Sequence, residues 1–398
     1  MQIGRYYRFD RMEAAGSLGD LGTLLPLALG LILLNGVSAI GLFFMVGLFY
    51  ILAGAYYRVP TPVQPMKVIG AYAIANYAMI TPNIVYAAAL LVGAILLFLG
   101  ATGLIELSRY VPKTVVRGVQ LSVGTLLLIR GLEFIKAPPS SDVVPSYQFK
   151  LAELGVGDIS VYFLLGIAGL AVAYLLLENR RAPAALIIVI GGFLVGLAFE
   201  TPRVALGLHL PKPIFLEGVP SIDDFVTAFF LLVLPQIPMT LGNAVIAQHD
   251  LAKSYFGDRA NRVTYRALAT SQGLANLGAF LLQGMPMCHG AGGLAAHYRF
   301  GARTAGNNII IGSFFLGVAL LFGESSIEIL KLLPFSILGV LLFIAGAELM
   351  TMIKDLKGKS EFYVPLVMLG ITLMSNLAWA FVIGLILAYL LKYEKIKV

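Results

Sequence analysis

From Gly36 to Tyr57 the chain reads GVSAIGLFFMVGLFYILAGAYY, and no side chain in that run carries a charge. About 20 apolar residues are what an α-helix needs to cross the hydrocarbon of a bilayer, and similar runs recur along the whole chain. They are too long and too frequent for the two or three soluble domains that 398 residues would otherwise suggest. Composition agrees. Mean hydropathy is +0.88 and charged residues are 12%, roughly half of the ~25% in a soluble domain. Intrinsic disorder needs low hydrophobicity and is excluded. A transmembrane β-barrel would show alternating ten-residue stretches, and none is seen. The sequence therefore predicts an all-α polytopic membrane protein.

Spans are placed near 15–34, 36–57, 82–103, 114–133, 159–178 and 183–200, then near 223–248, 264–283, 305–322, 327–350, 363–376 and 377–391. Two further segments, 61–77 and 286–300, are too short or too broken for ordinary spans and open on Pro-rich or Gly-rich stretches. The total is fourteen, with half-helices as the third and tenth. The longest ordinary loop is 137–158, and 201–221 joins the two halves. The halves repeat in order. Asp20-Leu21-Gly22 matches Thr240-Leu241-Gly242, Pro65-Met66 matches Pro286-Met287, and Pro112-Lys113-Thr114 matches Pro334-Phe335-Ser336. Gly131-Leu132-Glu133 is paired with Gly346-Ala347-Glu348. Seven segments is an odd number, so the second copy enters from the opposite face. This predicts a 7+7 inverted repeat, residues 1–200 and 222–398, and matched interrupted segments are the best sequence pointer to a transporter binding site.

The net charge of +7 would raise nucleic acid as a partner in a soluble protein. Here the positive-inside rule accounts for it. With the amino end inside, 21 Lys and Arg side chains fall on the cytoplasmic side and 6 on the other, with Lys67 left inside a span. The charge thus reports topology, with both termini cytoplasmic in a multi-pass protein of the cell membrane, and not a nucleic-acid partner. The single cysteine, Cys288, permits no intrachain disulfide and no cysteine metal cluster. The first span contains Asp20 and runs straight into further spans, which argues against a cleaved signal peptide.

The first interrupted segment reads Val59-Pro60-Thr61-Pro62-Val63-Gln64-Pro65-Met66-Lys67. Its prolines forbid regular helix up to Pro65, where a helix can begin. The free N–H groups would be those of Met66, Lys67 and Val68. The second reads Met285-Pro286-Met287-Cys288-His289-Gly290-Ala291-Gly292-Gly293, again an extended stretch giving way to helix. Two helix N-termini facing each other make an anion site, each carrying roughly half a positive charge. Lys67, at mid-membrane depth, serves such a site or is a buried ion pair with Asp20. Asp20 is a proton or counter-charge site or a neutralised packing residue. His289 donates to an anion or caps its helix, and Cys288 reads more as a packing residue than a ligand. Gln236 and Asn243, near Pro235 and Pro238, line the site or bond between helices. No phosphate loop, zinc-protease motif or catalytic triad spacing is present. The four histidines, 209, 249, 289 and 297, form no metal spacing. No enzyme activity and no cofactor are expected.

Pro62-Val63-Gln64-Pro65-Met66-Lys67-Val68-Ile69, Met285 to Ala295 and Tyr298-Arg299-Phe300-Gly301-Ala302-Arg303 resemble the two signature stretches of the molybdate transporter family. Gly16-Ser17-Leu18-Gly19-Asp20-Leu21-Gly22-Thr23 resembles its first-span motif. His297 departs from the pattern, standing where that family carries glutamine. The family is related to the sulfate permeases and lacks their STAS domain, and none is expected here. The resemblance implies the fold of sulfate permeases and the uracil transporter, with a core (15–103 plus 223–322) beside a gate (114–200 plus 327–391). Substrate would sit between the third and tenth segments, at Gln64, Pro65, Met66, Lys67, Gln236, Asn243, Cys288, His289, Gly290 and Ala291. Transport would follow an elevator-like shift of core against gate. Asn243 stands where many relatives carry an acid, which suits an anionic substrate.

Molybdate is a dianion. Two helix N-termini supply about +1 and Lys67 another +1, and an ionised Asp20 would cut that sum. Asp20 is therefore expected to be protonated during transport or to swing its pairing with Lys67. Charge alone does not separate molybdate from sulfate or tungstate, so a carrier of another oxyanion is the alternative. A channel would need a continuous polar lining, and few polar residues lie along the gate spans. The partners implied are the oxyanion, the bilayer, protons as coupling ions, and a second copy as a homodimer.

Overall fold

The first apolar run does not form one helix. In the computed structural model, which describes residues 6–104, 112–139, 144–156, 159–176 and 184–393, it is split into Arg11–Ser17 (α1) and Leu21–Leu33 (α2), bent by 42°. The break falls at Leu18-Gly19-Asp20, where the carboxylate of Asp20 is buried. The glycines beside it allow close approach: a Cβ at Gly19 would lie 2.8 Å from the Ala296 carbonyl. The expected single span 15–34 is thus corrected to a broken one.

Ala39–Tyr57 (α3) and Pro82–Thr102 (α5) fall where expected, separated by a short β-segment Gln64–Pro65 (β1) and the half-helix Lys67–Ala75 (α4). Lys113–Lys136 (α6) follows. The loop expected at 137–158 contains a helix, Ser146–Glu153 (α7), and a two-residue hairpin of Gly155–Val156 (β2) with Ile159–Ser160 (β3). Val161–Leu176 (α8) and Ala184–Phe199 (α9) close the first half.

The second half opens with a continuous 39-residue helix, Ile222–Ala260 (α10), longer than the span expected at 223–248. Pro235 and Pro238 have no N–H to give, and the helix winds as π-helix on both sides of them, at Ala228–Val233 and Thr240–Ala247. Then come Tyr265–Leu281 (α11), Met287–Cys288 (β4), the half-helix Ala291–Arg299 (α12) and Gly306–Phe322 (α13). The span expected at 327–350 is in fact a short helix, Ser326–Leu330 (α14), and a separate Phe335–Thr351 (α15) that starts after Pro334. Lys359–Met374 (α16) and Leu377–Lys392 (α17) complete the described chain. Among the described residues six continuous helical runs are long and apolar enough to cross a membrane alone, counting α13 on through α14 to Leu330 and α15 on to Asp355, or seven with the bent pair.

The inverted repeat is visible in how the halves meet. β1 pairs antiparallel with β4, Gln64 opposite Cys288 and Pro65 opposite Met287. Helices α6 and α15 touch backbone to backbone. A Cβ at Gly124 would stand 2.7 Å from the Gly346 carbonyl, and one at Gly346 2.6 Å from that of Gly124. Gly131 and Gly339 mirror each other in the same way, at 2.6 Å each. Because α6 starts at Lys113 and α15 at Phe335, Gly346 is the counterpart of Gly124, not of Gly131 as the sequence match had it. Gly124 and Gly346, equivalent in the repeat, therefore cross at the pseudo-twofold axis.

The connection 201–221 runs over the end of α13, with the N–H groups of Gly207 and His209 donating to the carbonyls of Leu321 and Leu320. On its exposed part Lys212 pairs with Glu217 at 2.8 Å. That hydrogen bond holds the Glu217 carboxyl below its ordinary range and the Lys212 ammonium above it. Among the residues used for the charge sorting, Arg5, Arg109, Arg180, Arg181, Lys395 and Lys397 lie outside the described residues, as do both chain termini.

Candidate functional site

Extended backbone at membrane depth needs partners for every N–H and C=O, since water is absent there. Two asparagines supply them. Asn308 accepts from the Thr61 N–H at 3.0 Å and donates to the Thr61 carbonyl at 2.6 Å. Asn276 holds the N–H and C=O of Met287, each at 2.8 Å. The Met66 N–H donates to the Pro286 carbonyl at 2.9 Å, joining the two interrupted segments directly. From this ribbon the half-helices α4 and α12 depart, nine residues each.

The first half-helix is less open than expected. It begins at Lys67, with Met66 as its N-cap, because the Met66 N–H is spent on Pro286. Two further donors, those of Val68 and Ile69, are covered from α10. The Oε1 of Gln236 accepts from Val68 at 2.9 Å and from Ile69 at 3.3 Å, while its Nε2 donates to Thr240 at 2.9 Å. Gln236 is thus a cap supplied by another helix. In α12 the N–H groups of Gly293 and Leu294 turn back to the Gly290 carbonyl, so Ala291 and Gly292 form its tip.

Lys67 reaches across to that tip. A Cβ on Gly292 would lie 4.0 Å from the Lys67 ammonium. Among the described residues no carboxylate lies within 4 Å of it, so the ion pair with Asp20 is not formed. Asp20 instead accepts a hydrogen bond from the side-chain amide of Gln64 at 2.5 Å. Both side chains are buried, and the second oxygen of Asp20 and the amide oxygen of Gln64 have no hydrogen-bond partner. They press against the first turn of α12. A Cβ at Gly290 would meet the Gln64 amide oxygen, and one at Gly293 would meet Asp20, Pro62 and Gln64. Only glycine fits at either position.

His289 faces away from the half-helix tip. Its Nδ1 donates to the Pro62 carbonyl at 2.7 Å, which leaves Nε2 as acceptor for Ser271 at 3.1 Å. Ser271 in turn meets the Tyr57 hydroxyl at 2.8 Å. His297 ties α12 to the broken first span through the Gly16 carbonyl at 2.7 Å. The signature Tyr298 to Arg303 ends on the buried Glu13, which accepts from the N–H groups of Arg303 and Thr304 at 3.0 and 2.9 Å.

In front of Lys67 lies a cavity of about 370 Å³. Its polar lining consists of Thr23, Lys67, Gln120, Asn243, Arg299 and Glu348, with Gly292 at the tip of α12. Of the residues expected to line the site, Lys67 and Asn243 do so. Asn243 sits in the second π-helical stretch. Gln64, Pro65, Met66, Gln236, Cys288, His289, Gly290 and Ala291 stand behind the lining, as ribbon, caps and struts. Thr23, Gln120, Arg299 and Glu348 were missed. Thr23 and Arg299 lie inside the quoted motifs, and Glu348 is a lone acid in an apolar helix, so a signal existed for three of the four. Gln120 and Glu348 come from α6 and α15, which makes those spans more polar toward the cavity than expected.

A sequence model of the family described as "Molybdate transporter of MFS superfamily" matches residues 12–127 and 228–349, stretches that hold both half-helices. The chain belongs to the molybdate transporter family. Molybdate transporter 2 of Arabidopsis thaliana is 33% identical over 96% of this chain and 87% of that protein. Molybdate transporter 1 of Chlamydomonas reinhardtii is 30% identical, covering 94% and 90%. Among solved structures, the transmembrane domain of the cyanobacterial bicarbonate transporter BicA superposes with a TM-score of 0.66 at 16% identity, covering 96% of this chain and 98% of that one. The murine anion transporter Slc26a9, inward-facing, gives 0.72 at 15% identity, covering 100% and 71%. These two likenesses fix the fold, the sulfate-permease inverted repeat. Membership of the molybdate transporter family makes the protein a multi-pass transporter and not an enzyme.

Proposed function

We propose that the protein is a secondary active transporter of molybdate that binds the dianion in the cavity between α4 and α12. The observation that carries this reading is the Lys67 ammonium, unpaired with any described carboxylate and standing over the tip of the opposite half-helix. The positive charge there comes from Lys67 and the α12 terminus, with the α4 terminus largely committed to Gln236. Asn243 and Thr23 add uncharged hydrogen-bonding groups. Gln64, Pro65, Met66, Gln236, Cys288, His289, Gly290 and Ala291 shape the site through the backbone they hold.

The polar lining of the cavity draws Thr23, Lys67, Asn243 and Arg299 from the proposed core segments and Gln120 and Glu348 from the proposed gate segments. That division supports an elevator-type movement of a core (15–103 plus 223–322) against a gate (114–200 plus 327–391). Proton coupling fits the buried Asp20, whose ionised form would oppose the dianion. The lopsided distribution of Lys and Arg supports a cell-membrane protein with cytoplasmic termini, and a homodimer is the assembly to test. Uptake of labelled molybdate into proteoliposomes tests the substrate. Tungstate and sulfate as competitors separate molybdate from other tetrahedral oxyanions. The reading fails if no labelled molybdate enters, and sulfate competing more strongly than molybdate itself would make this a sulfate carrier. Uptake unaffected by an imposed pH gradient would remove proton coupling.

A further inference from the structure

We propose that Glu348 is the gate-side counter-ion of Lys67 in the empty transporter, and that the oxyanion takes its place only as Glu348 binds a proton. The proposal deepens the oxyanion reading and rests on it.

Glu348 lies on α15, two residues beyond the glycine that packs against Gly124, so its position is fixed by a backbone-to-backbone contact between the two halves. Its side chain is exposed to the cavity that Lys67 also lines. Its carboxylate has no salt-bridge partner within 4 Å among the described residues, yet Lys67 acts electrostatically on it as it does on Asp20, and Glu348 in turn acts on Asp20. An acid in an apolar span is costly and usually serves a site. Without substrate, Glu348 is the carboxylate that shares the cavity with Lys67, while Asp20 is held behind it by Gln64. With a dianion beside Lys67, the same carboxylate becomes a like charge in a confined space, and like charges favour the protonated form.

The other groups facing Glu348 do not replace it in this role. From α4 comes Lys67 and from α12 Arg299, both cations. The broken first span presents Thr23 at the cavity and Asp20 behind Gln64. Helix α6 presents the uncharged Gln120, while its Arg117 is paired with Asp355 at 2.6 Å. Helices α8 and α9 offer only Leu176, Ala184 and Ala185, and α10 offers Met239 and Asn243. Among the described residues, Glu348 is therefore the acid at the cavity wall that an entering dianion meets.

Titration calorimetry of the purified protein with sodium molybdate, from pH 5.5 to 8.5 in buffers of different ionisation enthalpy, tests the proposal. The wild type should take up a proton on binding, and its affinity should fall by up to about tenfold per pH unit at the alkaline end. Glu348→Gln should bind with a flatter pH profile and more tightly than wild type at pH 8.5, whereas Glu348→Asp should keep the slope. A Glu348→Gln protein with the wild-type slope and proton uptake would overturn the proposal, and so would Asp20→Asn alone removing the slope. If Glu348→Gln does not fold, wild-type binding without proton uptake in the two-buffer comparison overturns it equally. A wild type that binds neither molybdate, tungstate nor sulfate at any pH would instead overturn the oxyanion reading, and this proposal with it.

Discussion

The side-chain oxygen of Gln236 lies 2.9 Å from the amide nitrogen of Val68 and closes, from a different helix, a half-helix terminus that the sequence alone presents as open. The two half-helices are therefore unequal. The first contributes mainly a lysine, and the second contributes its N-terminal tip. A single residue thus links α10, with its π-helical turns, to the half-helix that carries Lys67.

Replacing Gln236 separates its capping role from its charge. Gln236→Leu leaves the N–H groups of Val68 and Ile69 without an acceptor, at about 1–3 kcal/mol for each unsatisfied buried group. Its unfolding temperature in detergent should drop clearly. Gln236→Glu keeps an acceptor and should hold its stability, but it adds a negative charge beside the site and should weaken molybdate binding about tenfold or more. Equal stability of wild type and Gln236→Leu would mean the cap contributes nothing.

The crossing of α6 and α15 predicts a sharp contrast among glycines. Gly124→Ala or Gly346→Ala pushes a Cβ to within 2.7 Å of a facing carbonyl, and overpacking of this kind costs about 1–3 kcal/mol. Gly370→Ala, with nothing within 4 Å of its Cβ, should be neutral or gain up to ~1 kcal/mol from helix propensity. Thermal unfolding of the three variants side by side checks the order.

Glu13 predicts a long-range effect of a residue near the amino end on the second signature stretch. Glu13→Ala strips two backbone amides, those of Arg303 and Thr304, of their acceptor, and should destabilise by about 1–3 kcal/mol per amide. Glu13→Gln keeps an oxygen in place and should cost less. Thermal stability and molybdate uptake of both variants measure this.

Much of the fold is legible in the sequence because bilayer physics leaves few choices. Apolar runs must be helices, and Pro60, Pro62 and Pro65 must break one. The errors sit where distant partners decide local geometry. The half-helix starts at Lys67 and not Pro65 because the Met66 N–H is drawn to Pro286, more than two hundred residues away in sequence. Of the two readings of Lys67, the ion pair with Asp20 is not formed, and no local pattern announces that Gln64 reaches Asp20 first. His289 sits at a helix N-terminus, as expected, but Pro62 and Ser271 turn its ring from the cavity. Glu348 was visible as an acid in an apolar span. It was read only as a marker of the repeat, whereas its neighbourhood to Lys67 arises from packing across the two halves.

The central claim is that Lys67, placed over the tip of the opposite half-helix, holds the transported oxyanion. Direct binding of molybdate to purified wild type and to Lys67→Met, with both shown folded by thermal unfolding, tests it most directly. The account predicts saturable binding by the wild type and its loss, by a hundredfold or more (about 2.7 kcal/mol), in the variant. A folded Lys67→Met protein that binds molybdate with wild-type affinity would contradict it and reduce the lysine to a packing cation.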